Sequence, residues 1–379
     1  KDLIIPDYNN LGALVPSGES AETGRANKRT VLALKARTAL YAASPLFNSH
    51  QEGSQGYKEL WYRAAKANKE LIETCEDAGM RLIDDYENLW DAKSYSIAID
   101  ELIFGCRAIR ATNSFEKYNF PVGLENCRGG NCPTQTLVDA YELKDSGERP
   151  DKKADYDKNK PYYEGRDPRF EKTIAKNGDT KWPNWNETAL ETYQGGANAE
   201  PLSGGTPTGY YLKKYCQTSI NTTTAKPTTD NHTWIIYRLG EFYLNYAEAL
   251  FKYLGTAYAT NNEFPIPANE MVSKTRRRTK VNMPKFPAGL DNKLWWEKYQ
   301  NERMVELAFE GHRFWDVRRW KEGDKHFSSI DEMKIYKSGD SYSYRRVTVN
   351  RQWDDKMYFF PIPQSEKAKN PNLTQNPGW

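Results

Sequence analysis

The 379-residue sequence contains few of the residues and patterns that mark specialised protein classes. Five cysteines and four histidines are too few for an array of zinc sites or a dense disulfide framework. Lys and Arg number 54 against 51 Asp and Glu, so the net charge of +3 does not indicate a nucleic-acid-binding protein with a basic surface. No apolar run approaches the roughly 18 residues of a membrane-spanning helix.

The sequence also lacks the short motifs on which several enzyme classes depend. It contains no G-x-S-x-G, no P-loop and no G-x-G-x-x-G, so it predicts neither a nucleophile elbow nor a phosphate-binding glycine loop. It begins at Lys1, without the basic segment, apolar core and small-residue cleavage site of a signal peptide. We therefore expect it to be a mature form or a fragment of a longer precursor.

Aromatic residues are abundant. Hydrophobic residues, counted with tyrosine, make up only 38% of the chain, but 11 Trp, 25 Tyr and 14 Phe bring the aromatic share to 13%. Tyr and Trp combine an apolar ring with a polar atom, so they serve both in cores and on binding surfaces. The composition indicates a modest aliphatic core and further rings on the surface.

Helical periodicity is strong towards both ends of the sequence. The first part predicts a hairpin of two helices, from an N-cap at Thr23 to about Ala43 and from about Tyr57 to Ala78. LGEFY at Leu239–Tyr243 fits the L-G-x2-Y element of a tetratricopeptide repeat, although the leading Trp is displaced. The later part predicts four helices, at Trp234–Leu254, Ala268–Lys280, Asn292–Glu310 and Arg313–Trp320.

Between these helices the regular signal fades. We predict a strand at Glu101–Arg110, a short helix at Pro133–Leu143 and a strand at Phe170–Trp182 that enters a turn at Asn177-Gly178. The fold class is mainly α: a tetratricopeptide-like scaffold of helical hairpins over residues 23–78 and 232–320, with an irregular, loop-rich lobe containing short strands over residues 86–231. Loops this long are usually functional or disordered.

Charged residues are concentrated at Asn301–Trp320, which holds four carboxylates, four arginines and His312. A catalytic interpretation makes two carboxylates the acid/base pair of a glycosidase, whereas a structural interpretation pairs them with arginines between helices. His312 and Asp316 have the spacing of two metal ligands, but no third His or Cys is near. We favour the structural interpretation, with no metal and no cofactor. It predicts structural pairing for Arg303, Glu306, Glu310 and Arg313.

The cysteines allow two interpretations. Cys127 and Cys132 flank RGGN, and a loop with two glycines is able to close a disulfide in an oxidising compartment. Two unpaired loop thiols fit equally well, and the sequence leaves these alternatives open. Cys75 and Cys106 lie in apolar periodic segments, which predicts buried thiols.

Rings are frequent in the irregular lobe, where few aliphatic residues are available to pack against them. Phe115, Tyr118 and Phe120 follow the first predicted strand, and Trp182 and Trp185 lie beyond the predicted turn. Flat apolar faces beside amide and guanidinium donors suit sugars, whose C–H faces stack while their hydroxyl groups form hydrogen bonds. The alternative is that most of these rings hold the long loops in place.

Six segments form a distinctive series along the chain. They are LALKARTALYAASPLFN (Leu32–Asn48), PTQTLVDAYE (Pro133–Glu142), GRDPRFEKTI (Gly165–Ile174), YRLGEFYLNYAEAL (Tyr237–Leu250), NERMVELAFEGHRFWDVRRW (Asn301–Trp320) and FPIPQSEKAKNPNLTQNPGW (Phe360–Trp379). The series resembles the SusD/RagB family of surface nutrient-binding lipoproteins of Bacteroidetes, and its last two segments are the most specific. The chain is identified as a single domain of this family over residues 1–379, with a C-terminal signature segment over residues 353–379.

The resemblance implies binding rather than catalysis. Members capture glycans at the extracellular face of the outer membrane and deliver them to a TonB-dependent barrel of the SusC type. A peptide ligand, as for RagB-like proteins, is the alternative, and glycoside hydrolysis is less favoured. Members usually carry a lipidated Cys and an earlier helical segment, so we expect a lipid anchor upstream of Lys1 and no nucleic-acid partner.

The resemblance also places the ligand site. Members commonly contact ligand through the loop after the first strand of the lobe, here Ala111–Pro133. Trp182 and Trp185 form a second candidate wall, which rests on their position beyond the predicted turn alone. The candidate stacking rings in the loop are Phe115, Tyr118 and Phe120, and the candidate hydrogen-bond donors are Arg110, Asn113, Asn126 and Arg128.

Overall fold

The computed structural model describes residues 25–107 and 110–379, and helices dominate it. No helix in these two ranges combines the length and hydropathy needed to cross a membrane. The predicted mainly α fold class is confirmed. The described ranges hold twelve α-helices: α1 (Lys28–Ala43), α2 (Gln55–Asp77), α3 (Tyr95–Ala98), α4 (Ser114–Asn119), α5 (Gln135–Ala140), α6 (Arg169–Thr173), α7 (Leu239–Leu254), α8 (Ala268–Arg276), α9 (Asn292–Glu306), α10 (His312–Arg319), α11 (Gly323–Phe327) and α12 (Gln364–Lys369).

The strands of this part of the chain pair only in twos, and each pair is antiparallel. Two of the pairs join segments that are far apart in sequence: one of them links the lobe to the scaffold, and the other lies within the lobe. The third is a hairpin. The pairs are β1 (Leu102–Arg107) with β4 (Thr233–Arg238), β2 (Ile174–Ala175) with β3 (Tyr211–Leu212), and β5 (Ser329–Ser338) with β6 (Ser341–Asn350).

The first helical hairpin forms because small residues on α1 let α2 approach closely. Ala33 and Ala36 have no exposed surface. Asn27 begins α1: its side chain accepts a hydrogen bond from Thr30 N at 3.1 Å, while Thr30 Oγ1 accepts one from Asn27 N at 3.3 Å. This reciprocal cap satisfies two amide groups that would otherwise lack a partner in the helix. The predicted N-cap, Thr23, lies outside the described residues.

The main hydrophobic core lies between α1, α2, α7, α8 and α9. Trp61 of α2, and Trp295 and Tyr299 of α9, have no exposed surface within it. Helix α7 is buried on several sides and ends at Gly255, where φ is +76°. A helix buried in this way needs neighbours on more than one face, and α2 and α8 supply them.

Paired charges replace the apolar core where the scaffold meets the lobe. Arg238, at the junction of β4 and α7, contacts Glu101 at 3.0 Å, Glu306 at 2.7 Å and Glu310 at 2.8 Å. Arg169 reaches Glu306 from the lobe at 2.7 Å. Buried charges are stable only when they are paired and hydrogen-bonded. The network therefore sets how α9 and the loop after it face the lobe.

Three segments differ from prediction. Residues 233–238 form β4 rather than the start of a helix, because TWIIYR is rich in β-branched and aromatic residues and finds a partner in β1. Phe170–Trp182, predicted as a strand, begins as helix α6 and continues into the two-residue β2. The β5–β6 hairpin has no counterpart among the predicted elements. Its two-residue turn is Gly339-Asp340, with φ of +57° at the glycine.

Candidate functional site

A pocket of about 300 Å³ lies where the lobe meets the loop between α9 and α10. Its walls come from α4, the loop before α5, β3 and the residues after it, β4, and the loop that follows α9. Half of the lining residues are aromatic. They are Phe115, Asn131, Leu212, Tyr215, Trp234, Ile235, Phe309 and Glu310.

Trp234 packs against two of the other aromatic rings that line this pocket. Its ring centroid lies 4.8 Å from that of Phe115 and 5.3 Å from that of Tyr215. It also stacks on His232 at 5.6 Å, with 10° between the ring planes. Contacts with three rings hold the indole in one orientation. The pocket therefore offers a half-buried apolar ring that is already oriented before any ligand arrives.

Two of the lining residues adopt a left-handed backbone conformation. The φ angle is +68° at Tyr215 and +59° at Phe309. Residues other than glycine rarely adopt this conformation, which costs on the order of 1–3 kcal/mol and is concentrated at functional sites. Phe309 keeps 36% of its surface exposed, so part of its ring is available to a ligand.

Glu310 is the charged residue of the pocket, and two cations hold its carboxylate. Arg238 donates a hydrogen bond to each carboxylate oxygen at 2.8 Å, and Lys214 Nζ donates to Oε1 at 2.7 Å. Burial opposes ionisation of Glu310, but Arg238 and Lys214 outweigh it and lower its pKa to about 2. The ionised group is almost fully buried, and it has no proton to give as a general acid.

The other carboxylates of Asn301–Trp320 are paired in the same way. Glu306 contacts Arg238, and Asp316 contacts Arg303, both at 2.7 Å. Burial opposes ionisation of Glu306 and Asp316, but the surrounding arginines outweigh it and lower the pKa of both carboxyl groups. A glycosidase needs one carboxyl group with a raised pKa to protonate the leaving group. The pKa values of Glu306 and Asp316 are lowered instead of raised, so neither carboxyl group is suited to this role.

Arg313 departs from the predicted ion pairing. Among the described residues it takes part in no salt bridge, and its Nη2 lies 3.1 Å from Nδ1 of His326 instead. Its guanidinium group also lies 5.9 Å from the Trp320 ring centroid. Asp316 lies only one turn along the same helix, but its two carboxylate oxygens already accept hydrogen bonds from Arg303 at 2.7 Å and from Arg319 at 2.9 Å.

The predicted stacking rings divide into two groups. Phe115 lines the pocket, and Tyr118 is 53% exposed. A Cβ at Gly130 would lie 2.1 Å from the Tyr118 ring, so the loop passes under this ring only because the residue is glycine. Phe120 is fully buried and packs edge-on against Trp182, which is 6% exposed. The prediction that Phe120 and Trp182 stack on a ligand is wrong, because both rings lie in the core of the lobe.

Among the predicted donors, the two arginines are open to solvent. Arg110 and Arg128 are exposed, and within residues 25–107 and 110–379 neither side chain has a hydrogen-bond partner. Trp185 is half-buried, and its Nε1 donates to the carbonyl oxygen of Ile220 at 2.8 Å. The arginines are therefore free to contact a ligand, whereas Trp185 offers at most part of its ring.

The two predicted asparagine donors hold the Thr-rich loop. Asn113 Nδ2 donates to the Thr228 carbonyl oxygen at 3.1 Å. Asn126 Nδ2 donates to the Thr222 carbonyl oxygen at 2.8 Å and to Thr224 Oγ1 at 3.3 Å. Asn126 is exposed but its Nδ2 is engaged inside the protein, so its role as a donor to ligand stays a prediction. Asn113 keeps one free N–H.

The pocket contains residues that sequence reasoning did not select. Trp234 stands at the start of the predicted helix Trp234–Leu254, and Phe309 lies within the predicted helix Asn292–Glu310. The alternation of β-branched and aromatic residues in TWIIYR is the signal that places Trp234 on a strand instead. No comparable signal marks Phe309, since its exposure depends on a left-handed turn in the chain.

All five cysteines are free thiols, so Cys127 and Cys132 are unpaired. Cys106 is exposed rather than buried, because it lies near the end of β1, whereas Cys75 is buried as predicted. Across the part of the chain that the structure describes, no group of three potential His, Cys, Asp or Glu ligands is positioned to hold a metal ion. The chemistry of the site is therefore that of rings, arginines and one ionised carboxylate.

Comparison with protein families shows that the model of the SusD family matches residues 101–379. A solved SusD-like protein from Bacteroides fragilis NCTC 9343 is 26% identical, with a TM-score of 0.75 over 98% of this chain and 69% of that chain. A SusD-like carbohydrate-binding protein from the same strain is 23% identical, with a TM-score of 0.71 over 96% of this chain and 67% of that one.

A surface glycan-binding protein A from Bacteroides fluxus is 20% identical, with a TM-score of 0.57 over 95% of this chain and 64% of that one. At under 25% identity, this likeness and that to the carbohydrate-binding protein show a shared fold. A comparison with curated proteins found no match.

Proposed function

The chain belongs to the SusD family, and on this premise we propose that it is a non-catalytic cell-surface protein that captures glycans. In this proposal it passes its ligand to a TonB-dependent barrel of the SusC type. It lies on the extracellular face of the outer membrane, held by a lipid anchor outside this sequence. The family match supports carbohydrate binding, and the pocket beside the lobe is the candidate site at which a carbohydrate would bind.

The observation that carries the proposal is the half-buried Trp234 set against Phe115 and Glu310. An oriented apolar ring accepts the C–H face of a sugar, while the exposed Asn131 amide forms hydrogen bonds with hydroxyl groups. A pocket of about 300 Å³ is at the low end of ligand sites, so it holds only one or two sugar units. We expect micromolar to millimolar affinity, equivalent to about 4–8 kcal/mol.

Binding is favoured over hydrolysis because the nearby carboxylates are committed to arginines. The lowered pKa values of Glu306 and Glu310 leave neither group protonated at neutral pH. Hydrolysis of a glycan would need one of them to act as a general acid. Turnover of any bound glycan by the purified protein would therefore contradict the proposal.

The test is a glycan array on the purified protein with peptide pools in parallel, followed by calorimetric titration of the ligands found. Trp234→Ala should reduce affinity at least about tenfold, which corresponds to about 1.4 kcal/mol. Tyr336→Ala, which removes an exposed ring from the β5–β6 hairpin, is the matched control and should bind normally. Trp234→Phe should recover part of the loss. If the protein binds peptides and no glycan, the ligand is a peptide and the proposal of glycan capture is wrong.

Delivery to the barrel needs a separate measurement. The protein should co-purify with the SusC-type barrel of its own organism from detergent-solubilised outer membranes. Trp234→Ala should leave that association unchanged, because in this proposal the pocket contacts the glycan and not the barrel. Failure to associate would remove the delivery step but leave glycan capture in place.

A further inference from the structure

A second pocket, of about 280 Å³, lies at the opposite ends of helices α7 and α9. Helix α7 begins next to the first pocket and ends at the second, while α9 runs the other way. With 16 residues, α7 is roughly 24 Å long. The second pocket is therefore a separate place on the scaffold. It is lined by Glu52, Phe251, Lys252, Gly255, Asn292, Lys293 and Trp296.

Lys252 is a cation of this pocket without a carboxylate partner. Its Nζ lies 4.3 Å from the centroid of the Trp296 ring and 5.5 Å from that of Phe251. In residues 25–107 and 110–379, no carboxylate lies within ion-pair distance of this nitrogen, and no acceptor forms a hydrogen bond with it. Burial lowers the pKa of Lys252, although Glu248 and Glu52 oppose the shift from farther away.

Lysines in comparable surroundings elsewhere in the protein do have partners. The ammonium of Lys214 contacts Glu310 at 2.7 Å, and that of Lys298 contacts Glu148 at 3.2 Å. A partly buried ammonium group loses hydration, and a nearby anion restores the lost interaction energy. Lys252 lacks this compensation inside the described protein, so its N–H groups are available to an anion that enters the pocket.

The other lining groups suit a sugar that carries this anion. Phe251 and Trp296 lie nearly parallel, with 9° between their planes and 5.9 Å between centroids, and form an apolar wall. Lys293 is exposed and adds a second positive charge. Asn292 Nδ2 donates to the Gly255 carbonyl oxygen at 2.7 Å, which fixes the start of α9 against the end of α7. The pocket is thus a formed feature between two helices.

We propose that this pocket binds an anionic group on a sugar, a carboxylate or a sulfate ester, with Lys252 as its main contact. Glu52, which also lines the pocket, weakens the attraction and limits the site to ligands that place their charge near Lys252. The sugar part of this assignment rests on the proposed function. The anion contact rests on Lys252 and its surroundings alone.

The test uses three ligands at low ionic strength: an oligogalacturonate, a sulfated carrageenan oligosaccharide and a neutral galactooligosaccharide. At least one acidic ligand should bind about tenfold more tightly than the neutral one. Which of the two binds identifies carboxylate or sulfate as the anion. Hydrogen exchange measured by mass spectrometry should show protection of residues 251–256 and 292–296, away from the first pocket.

Two substitutions should act in opposite directions. Lys252→Met should abolish the preference for the acidic ligand, with Lys252→Gln as a second neutral variant. Glu52→Gln should strengthen acidic-ligand binding about two- to threefold, because it removes a like charge. Lys35→Met is the matched control: it removes an exposed lysine already paired with Glu70, and it should change nothing.

Equal affinity for acidic and neutral ligands, or an unchanged preference in both Lys252 variants, would overturn the proposal. Protection by inorganic sulfate as strong as that by the sulfated sugar would overturn the assignment to a sugar. Trp234→Ala separates the two sites: it should remove neutral-glycan binding at the first pocket and leave the Lys252-dependent component. If neutral glycans fail to bind but the acidic ligand still depends on Lys252, the proposed function fails and this inference stands.

Discussion

At the junction of scaffold and lobe, Arg238 and Glu306 have no exposed surface, and each contacts several groups of opposite charge. In the adjoining pocket, Trp234 is half-buried and Phe309 is 36% exposed. The usual distribution is thus reversed over a short distance: charges lie inside and rings reach the surface. The pairing of charges explains how this is tolerated, since each buried carboxylate meets guanidinium groups in good geometry.

This difference between the buried charge network and the pocket rings shows how a chain with few aliphatic residues forms both a rigid scaffold and a binding surface. A buried ion pair adds little net stability over apolar packing, but removing one partner is costly. Such a network therefore specifies one arrangement of helices and tolerates little change. Rings at the surface of the pocket have fewer neighbours, so their replacement should affect ligand more than folding. Four experiments test this contrast.

The largest effect is expected from Glu306→Gln. Arg238, Arg278 and Arg169 all contact this carboxylate, and its loss leaves buried guanidinium groups with an unbalanced charge. The free energy of unfolding should fall by about 3–5 kcal/mol. Denaturant titration measures it, with Glu366→Gln as the control. Glu366 is exposed and, among the residues that the structure describes, pairs only with Lys369, so the control should stay within about 0.5 kcal/mol of the parent.

Trp182→Ala tests the corrected position of a ring that sequence reasoning assigned to the ligand site. Since Trp182 is buried against Phe120, the substitution should destabilise the protein by about 3 kcal/mol or more. Ligand affinity of the folded protein should stay unchanged. Normal stability together with lost binding would return Trp182 to the ligand site and contradict the contrast between core and pocket rings.

Acid pH should destabilise the protein through the buried His312 of α10. Burial lowers the pKa of His312 to about 4, although Glu241 opposes the shift. The folded state therefore binds fewer protons than the unfolded state between pH 6.5 and 4, so stability falls as the pH drops through this window. The shift corresponds to about 3 kcal/mol. His312→Gln should flatten the stability profile in this range, and an unchanged profile would show that His312 is not responsible.

The smallest effect is expected from Tyr118→Ala. The ring is 53% exposed and lies over Gly130, so its loss should change the unfolding free energy by no more than about 0.5 kcal/mol. Glycan affinity should fall only a few-fold if Tyr118 contacts ligand beside the pocket. A loss as large as that of Trp234→Ala would move the centre of the site to the Ala111–Pro133 loop.

Prediction from sequence succeeded where the signal is local. The buried face of α1, with Ala33, Ala36 and Leu40, follows from spacings of three and four residues along one helix. The concentration of carboxylates and arginines at Asn301–Trp320 likewise points to ion pairs, although Arg313 finds none. The assignment of particular rings was less successful. Phe115, Tyr118 and Phe120 lie in one short segment, yet they end up half-buried, exposed and fully buried.

The division of the chain into scaffold residues 23–78 and 232–320 and lobe residues 86–231 stays a prediction. Within the described residues, the boundary is crossed by the β1–β4 pair and by the contacts of Arg169 and Arg238. A cut at these positions would separate partners of a buried network. The two parts are therefore better regarded as regions of one folding unit than as independent modules.

By itself, the sequence determined the long helices of the scaffold, the family and the presence of a cluster of paired charges near the end of α9, because these depend on periodicity and on motifs read along the chain. The tertiary structure decided which arginine meets which glutamate, that Trp234 lies on a strand, and that Phe309 is exposed next to Glu310. Each of these depends on segments that are distant in sequence coming together and on a left-handed turn at Phe309. The spacing of residues along the chain does not predict these long-range contacts. Whether a side chain is buried depends on what packs against it in the folded protein and not on its neighbours in the sequence.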